Sequence, residues 1–253
     1  MTKLEDYAER FTGLRFRRED GVLEMTLHTD GGEALWGIGL DGLHNEIGQA
    51  CAMIAGDPDN HVVILTGTGA NFLVSMDNRG ERPDVRTPTG WDRIYREGTA
   101  LLNNLLAIPV PVIAAVNGPA LIHAEIPLLS DIVLASETAL FGDNAHAVDG
   151  VVPGDGVHVL WPMLLGPNRG RYALLMGERI GAQEALSLGL VGEVLAPGAL
   201  LPRAWEIART LATRSPMMLR NTRTLMTQHL KRRLHDELGY GLVLEGMALL
   251  RAG

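Results

Sequence analysis

Three apolar runs, each about the length of one strand, constrain the fold of this chain most strongly. They are HVVILTGTG at 61–69, IPVPVIAAVNG at 108–118 and DIVLAS at 131–136. Continuous apolar runs of this kind are typical of strands that are buried on both faces of a parallel sheet. Segments 40–55 and 91–107 carry apolar residues at helical spacing ahead of the first and second runs. The alternation predicts an α/β fold with a largely parallel sheet.

The two ends of the chain have different patterns from the middle. Residues 14–28 place β-branched and apolar residues on both sides of an Asp-Gly pair, which predicts a hairpin. From about Gly181 onward the pattern favours helices, including one long segment near the end. The stretch LAPGALLP, around residue 196, indicates a joint between an α/β body, 1–195, and a helical end piece, 196–253.

Composition excludes several classes of protein. The 253 residues are 46% hydrophobic and 21% charged, which suits a globular chain with a sizeable core. A net charge of −8 disfavours nucleic-acid binding, which depends on positive charge. We find no apolar run of the ~18 residues that a membrane span needs, so we expect no membrane association and a cytoplasmic location. The single cysteine, Cys51, allows no intrachain disulfide.

Histidine and aspartate are concentrated in GDNAHAVDGVVPGDGVHV, residues 142–159. His146 and Asp155 are candidates for acid–base chemistry, whereas His158 is expected to be a core histidine. The chain has no Gly-x-Ser-x-Gly elbow, no HExxH or CxxC, and neither the phosphate-loop nor the full dinucleotide-binding pattern. Serine hydrolase, metal and nucleotide chemistry are therefore not expected.

The segment IPVPVIAAVNGPALIHAEIPLLSDIVLASETALFGD, 108–143, resembles the crotonase (enoyl-CoA hydratase/isomerase) superfamily. The resemblance continues through GVVPGDG and LMGERIGAQEALSLGLVGEVL into the helical end. It implies a crotonase-type spiral core at 1–195 that carries the active site. It also implies a helical oligomerisation domain at 196–253 and a homotrimer or a dimer of trimers.

The chain departs from the family at both glycine-containing stretches that form the thioester oxyanion hole. Leu121-Ile122-His123-Ala124 stands where the family has GGG, and residues 72–77, FLVSMD, stand where it has FSAGAD. Bulky side chains in place of glycine obstruct the close approach of a ligand to the backbone. Of the two glutamates of enoyl-CoA hydratases, the first is retained as Glu125 and the second falls on His146. This combination resembles the β-diketone hydrolases of the superfamily, which cleave carbon–carbon bonds in cyclic β-diketones without coenzyme A.

The resemblance to these hydrolases also implies functional residues. It assigns His146 and Asp155 to a histidine–acid dyad and Glu245 to a further acid. Trp36 and His44 match the residues that hold substrate carbonyls, with Asp41 as the competitor of His44. His123 and Glu125 remain open between a place in the pocket and a structural role. The apolar residues expected near the site favour an apolar substrate: Leu73, Val74, Met76 and Ile122.

Cleavage of a β-diketone needs water to add to one carbonyl, loss of an enolate that the other carbonyl stabilises, and protonation of that enolate. No cofactor is required. A neutral His146 ring is suited to deprotonate water and later to protonate the enolate, and Asp155 at its other nitrogen would fix the tautomer. Glu245 would orient water or the intermediate. Two alternatives are an acyl-CoA hydratase or isomerase that uses Glu125 and a non-catalytic protein of the crotonase fold.

Overall fold

The computed structural model describes residues 1–146 and 150–249. In chain order the strands are β1 (Leu14–Glu19), β2 (Val22–Leu27), β3 (Leu35–Trp36), β4 (Val62–Gly67), β5 (Ser75–Met76), β6 (Val112–Val116), β7 (Ile132–Ser136), β8 (Leu140–Phe141), β9 (Ile180–Gly181) and β10 (Glu193–Leu195). Six of them form a central sheet in the order β1-β2-β4-β6-β7-β10. Only β1 is antiparallel to its neighbour in this sheet. The predicted α/β class is confirmed.

Helices cover this sheet and extend beyond it. They are α1 (Leu43–Ala55), α2 (Pro88–Ala107), α3 (Glu125–Leu128), α4 (Val157–Leu165), α5 (Pro167–Met176), α6 (Ala182–Ser187), α7 (Pro197–Ala212) and α8 (Pro216–Leu249). The start of α2 follows from local chemistry, since the Thr87 hydroxyl accepts the Gly90 N–H at 3.1 Å. Pro88 then occupies a first-turn position where no N–H is needed.

Strand β4 shows why its sequence is apolar throughout. Val62 and Ile64 pack in a cluster with Trp205 of α7, on one face of the sheet. Val63 and Leu65 belong to the larger cluster on the other face, which includes the apolar residues of α1 and α2. Both faces of the strand are therefore removed from water, as the apolar runs predict.

Helix α8 is anchored to the sheet near its beginning and lines a cavity near its end. Arg223 Nε lies 2.6 Å from Asp131 Oδ2, and its Nη1 donates to the Leu106 carbonyl at 2.9 Å. The helix packs against α2 and α4. Within the residues described, no helix has both the length and the apolarity needed to cross a bilayer.

The predicted hairpin is confirmed, with Glu19 paired to Val22 around a two-residue turn. Asp20 and Gly21 both have positive φ, 48° and 78°, as the tight turns of hairpins require. Helix α1 begins three residues later than expected and α2 three residues earlier. After Gly181 the structure has the predicted helices, α6, α7 and α8, and it adds β10, an edge strand parallel to β7 that the sequence analysis did not predict.

The predicted joint near residue 196 falls between β10 and α7. Helix α7 packs on the central sheet and α8 packs on α2. The division into a core, 1–195, and an oligomerisation domain, 196–253, stays a prediction.

Candidate active site

A cavity of about 250 Å³ is lined by parts of α1, α2, α8 and the loop that precedes α3. Most of its wall is apolar and includes Trp91, Ile94, Leu101 and Leu242. Met76 and Ile122 line it as predicted, whereas Leu73 and Val74 are not part of its wall. Polar side chains also reach it: Trp36, His44, His123, Glu125, Asn144, His146, Asp155 and Glu245. A few convergent polar groups in an apolar cavity are typical of a small-molecule site.

His123 takes a backbone conformation that glycine adopts more easily. Its φ is +53°, in the left-handed region, where a side chain costs of order 1 kcal/mol or more. This loop replaces the glycines of the family. The conformation turns the imidazole onto Trp36, with ring centroids 4.0 Å apart. The strained backbone of His123 therefore places its imidazole in the cavity wall.

In both stretches that stand where the family forms its oxyanion hole, backbone N–H groups donate hydrogen bonds to carbonyl groups of this chain. The N–H groups of Leu121 and Ile122 donate to the Leu73 carbonyl at 2.9 and 3.2 Å. The Asp77 N–H donates to the Trp36 carbonyl at 2.7 Å. These three N–H groups are engaged with the protein and are not free to bind a ligand carbonyl in this arrangement.

Asp155 reaches the cavity from a turn that packs against α8. A side chain on Gly154 would place its Cβ 2.2 Å from the Gly241 carbonyl oxygen and 2.8 Å from Glu245 Cβ. Only glycine permits this approach of the two backbones. The turn therefore brings the Asp155 carboxylate beside Glu245.

His146 is buried and has carboxylates at both ring nitrogens. Its Nδ1 lies 2.6 Å from Asp143 Oδ1, in a hydrogen bond. Its Nε2 lies 3.6 Å from Asp155 Oδ2 and 3.5 Å from Glu245 Oε1. The distance predicted for the His146–Asp155 pair is about 2.6–3.2 Å, with some loosening in an unliganded form, and the 3.6 Å from Nε2 to Oδ2 is longer. Asp143, three residues before the histidine, makes the hydrogen bond to this ring at 2.6 Å.

His123 shares the same acidic group from the other side. Its Nδ1 lies 2.7 Å from Glu125 Oε1 and 2.8 Å from Asp155 Oδ2. Asp155 therefore lies between two imidazoles. Since Nδ1 faces these carboxylates, Nε2 is the His123 nitrogen left for another partner.

The protonation of the cluster formed by His123, Glu125, His146, Asp155 and Glu245 depends on burial and on contacts within the cluster. Burial lowers the pKa of His146, but the Asp155 charge and hydrogen bonds to Asp143 and Glu245 outweigh it and raise this pKa well above its ordinary value. Burial likewise lowers the pKa of His123, and Glu125 and Asp155 reverse the effect. Both shifts favour the imidazolium form near neutral pH. This direction runs against the predicted neutral His146, because that prediction allowed for one carboxylate neighbour whereas three lie at its ring nitrogens.

The carboxylates respond in opposite directions. Burial raises the pKa of Asp155, but the charges of His146 and His123 outweigh it and hold this pKa below the ordinary range. Burial and the neighbouring Asp155 charge raise the pKa of Glu125. Burial also raises the pKa of Glu245, although its hydrogen bond to His146 acts against this. The cluster therefore holds one carboxylate whose pKa is lowered beside two acids whose pKa values are raised.

His44 lies apart from this cluster, with its ring edge-on to Trp36 at a centroid distance of 5.6 Å. Its Nδ1 lies 3.1 Å from Glu97 Oε2, and Arg93 Nε donates to Glu97 Oε1 at 2.7 Å. Burial lowers the pKa of His44, with Glu97 acting in the other direction. Its competitor Asp41 lies outside the cavity, in a separate surface depression with Arg79 and Arg82.

The arrangement bears on metal binding as well. Ligand atoms of His123, Glu125 and Asp155 all lie within 4.8 Å of one another, which would allow an ion. Yet the His123 nitrogen is 2.7 and 2.8 Å from the two carboxylate oxygens. Ligands about 2.0 Å from a tetrahedral zinc ion would be about 3.3 Å apart. A shared proton accounts for the shorter separations, and the expectation of no metal stays a prediction.

The structure brings all five predicted site residues to one cavity: His146, Asp155, Glu245, Trp36 and His44. It also places His123 and Glu125 there, which the sequence left open. Sequence reasoning missed Asp143 and Glu97. The spacing of Asp143 from His146 could have revealed the first, whereas Glu97 is 53 residues from His44 and has no local signal.

The model of the enoyl-CoA hydratase/isomerase family matches residues 17–243. Carnitinyl-CoA dehydratase of Citrobacter koseri is 32% identical over 213 residues, which cover 81% of this chain and 77% of that protein.

Two solved structures extend the comparison. The β-diketone hydrolase ABDH from the cyanobacterium Anabaena sp. PCC 7120, bound to (S)-3-oxocyclohexyl acetic acid, is 46% identical, covers 98% of both chains and has a TM-score of 0.93. An enoyl-CoA hydratase/isomerase from Mycobacterium paratuberculosis is 26% identical, covers 96% of this chain and 95% of that one, and has a TM-score of 0.86. By its matched residues, its crotonase-type fold and these relatives, the chain belongs to the enoyl-CoA hydratase/isomerase family of enzymes.

Proposed function

We propose that the protein hydrolyses a carbon–carbon bond in a cyclic or bicyclic β-diketone, a retro-Claisen reaction that yields a keto acid. The observation that carries the proposal is the buried pair of imidazoles around Asp155 in an apolar cavity. The similarity to ABDH, at 46% identity over 98% of both chains, supports the same reaction class.

One carbonyl of the diketone has to hold the charge of the departing enolate. The indole N–H of Trp36 and the Nε2–H of His123 are the donors best suited to that oxygen, since the two rings stack in the cavity wall. A protonated His123 ring donates a hydrogen bond from Nε2, whereas a neutral ring without a proton on Nε2 would accept one there. Loss of one such donor typically costs about 3 kcal/mol of transition-state stabilisation.

The enolate then needs a proton at carbon. His146 is protonated in the cavity and is flanked by Asp155 and Glu245 at Nε2, so it is suited to be the acid. Asp155 and Asp143 stabilise the imidazolium until the proton is needed. This is the second of the two roles predicted for His146, and the first, removal of a proton from water by a neutral ring, is not assigned to it here.

The direct test is turnover of cyclic 1,3-diketones of increasing ring size, together with bicyclic ones. We expect loss of the diketone absorbance and formation of one keto acid per substrate consumed, measured by spectrophotometry and mass spectrometry. Trp36→Phe removes the indole donor while keeping a ring, and we expect it to lower kcat by about 10²-fold. Absence of turnover across the whole series would refute the proposal.

Acyl-CoA chemistry is the second candidate, because carnitinyl-CoA dehydratase is among the relatives. The engaged N–H groups of Leu121 and Ile122 argue against a thioester oxyanion hole. We therefore expect calorimetric titration with crotonyl-CoA and acetyl-CoA to give no binding at micromolar concentration. Micromolar binding, with turnover that depends on Glu125, would favour the second candidate instead.

A further inference from the structure

His44 and His146 differ in whether a ring nitrogen is available to accept a proton. His146 has Asp143 at Nδ1 and two carboxylates at Nε2, so neither nitrogen has a free lone pair while the ring is protonated. His44 has one carboxylate, Glu97, at Nδ1. Among the described residues, none hydrogen-bonds to His44 Nε2.

The contacts of Glu97 fix the tautomer of His44. Burial raises the pKa of Glu97, but hydrogen bonds to His44 and Arg93 outweigh it and lower this pKa, which favours the ionised form. An ionised carboxylate can only accept a hydrogen bond. His44 Nδ1 must therefore carry the proton. In the neutral ring this leaves a lone pair on Nε2, so His44 is an acceptor toward the cavity rather than the predicted carbonyl donor.

His44 Nε2 is open toward the cavity because its neighbour on α2 is a glycine. A Cβ built on Gly98 would lie 3.4 Å from His44 Nε2 and 3.8 Å from Leu242 Cδ2. Both distances are ordinary contacts, so the glycine leaves space there that a methyl group would fill. Gly98, His44 and Leu242 all line the cavity.

We propose that His44, oriented by Glu97, is the base that accepts a proton from the water that attacks the diketone. This inference rests on the proposed function. Glu97 is the positioning residue, since it acts only through the His44 ring.

The step balances without a cofactor. A water O–H bond breaks, its proton goes to His44 Nε2, and the electron pair forms a bond to the carbonyl carbon. Collapse of the tetrahedral intermediate breaks the carbon–carbon bond and leaves an enolate, which takes a proton from His146. His44 releases its proton and His146 regains one before the next turnover.

The groups around His44 support a ring that is neutral near pH 7. Helix α2 presents Glu97 with Arg93, the loop before α3 presents His123, and the turn before α4 presents Asp155. Helix α8 contributes the apolar Leu242. Burial lowers the pKa of His44, the His123 charge lowers it further, and Glu97 and Asp155 raise it, with a net lowering from about 6.5. We expect kcat/KM to fall on the acid side as this ring takes up a proton.

Three variants test the inference with a diketone that the wild-type protein cleaves. His44→Ala should lower kcat/KM by about 10²- to 10⁴-fold, and added imidazole should restore part of the rate in proportion to its neutral form. Glu97→Gln should lower kcat/KM less and move the acid limb to lower pH, since Glu97 raises the His44 pKa. Gly98→Ala should fold normally and lower kcat, because its methyl group screens Nε2 from water.

Matched controls are His229→Ala, on the exposed side of α8, and Asp92→Asn, an exposed acid on the same helix as Glu97. Both should keep wild-type rates and pH profiles. If the wild-type protein is active and His44→Ala keeps the wild-type rate, or added imidazole restores none of the lost rate, the role of His44 is overturned. An unchanged acid limb in Glu97→Gln overturns the positioning role. A wild-type protein that cleaves no diketone instead refutes the proposed function.

Discussion

Asp155→Asn is expected to lower kcat/KM for a diketone by about 10³-fold or more, the loss typical when an acid–base network loses its charged member. The Asp155 carboxylate lies 2.8 Å from His123 Nδ1 and 3.6 Å from His146 Nε2. Asparagine keeps the shape of the side chain but removes the charge. Both imidazole pKa values should then fall, because Asp155 raises each of them. One substitution thus lowers the tendency of both rings, the carbonyl donor and the enolate acid, to carry their protons.

Asp143→Asn is the matched comparison, since Asp143 contacts His146 and has no contact with His123 among the described side chains. We expect it to have the smaller effect on kcat/KM. Histidine NMR with ¹⁵N labels should show the pKa of both rings lowered in Asp155→Asn and that of His146 alone lowered in Asp143→Asn. An Asp143→Asn variant as impaired as Asp155→Asn, with His123 still fully protonated in both, would contradict the shared role of Asp155.

The sheet could be predicted from sequence because its signal is local. Runs such as HVVILTGTG are apolar at every position, and the structure buries Val62 to Leu65 on alternate faces. The Asp20-Gly21 turn could be predicted for the same reason, since two positive φ angles demand such residues. Strand β10 could not be predicted, because its three residues are all half-buried and show no alternation of buried and exposed positions.

The candidate site was predictable as a set of residues but not as a set of contacts. Family resemblance placed His146, Asp155 and Glu245 in one site, and the cavity contains all three. The charge state depends on distances between elements far apart in the chain. Asp155 lies between His123 and His146 only because the Gly154 turn packs against α8, and the Glu97 contact to His44 depends on how α1 packs on α2.

His146→Gln is expected to reduce kcat by about 10³- to 10⁴-fold, because glutamine cannot deliver a proton to the enolate. His158→Gln is the control, since that ring lies outside the cavity and contacts the Glu237 carbonyl at 3.3 Å. Single-turnover measurements should show slow product formation with little change in substrate binding. A His146→Gln variant that keeps a tenth of the wild-type kcat would remove His146 from the chemistry.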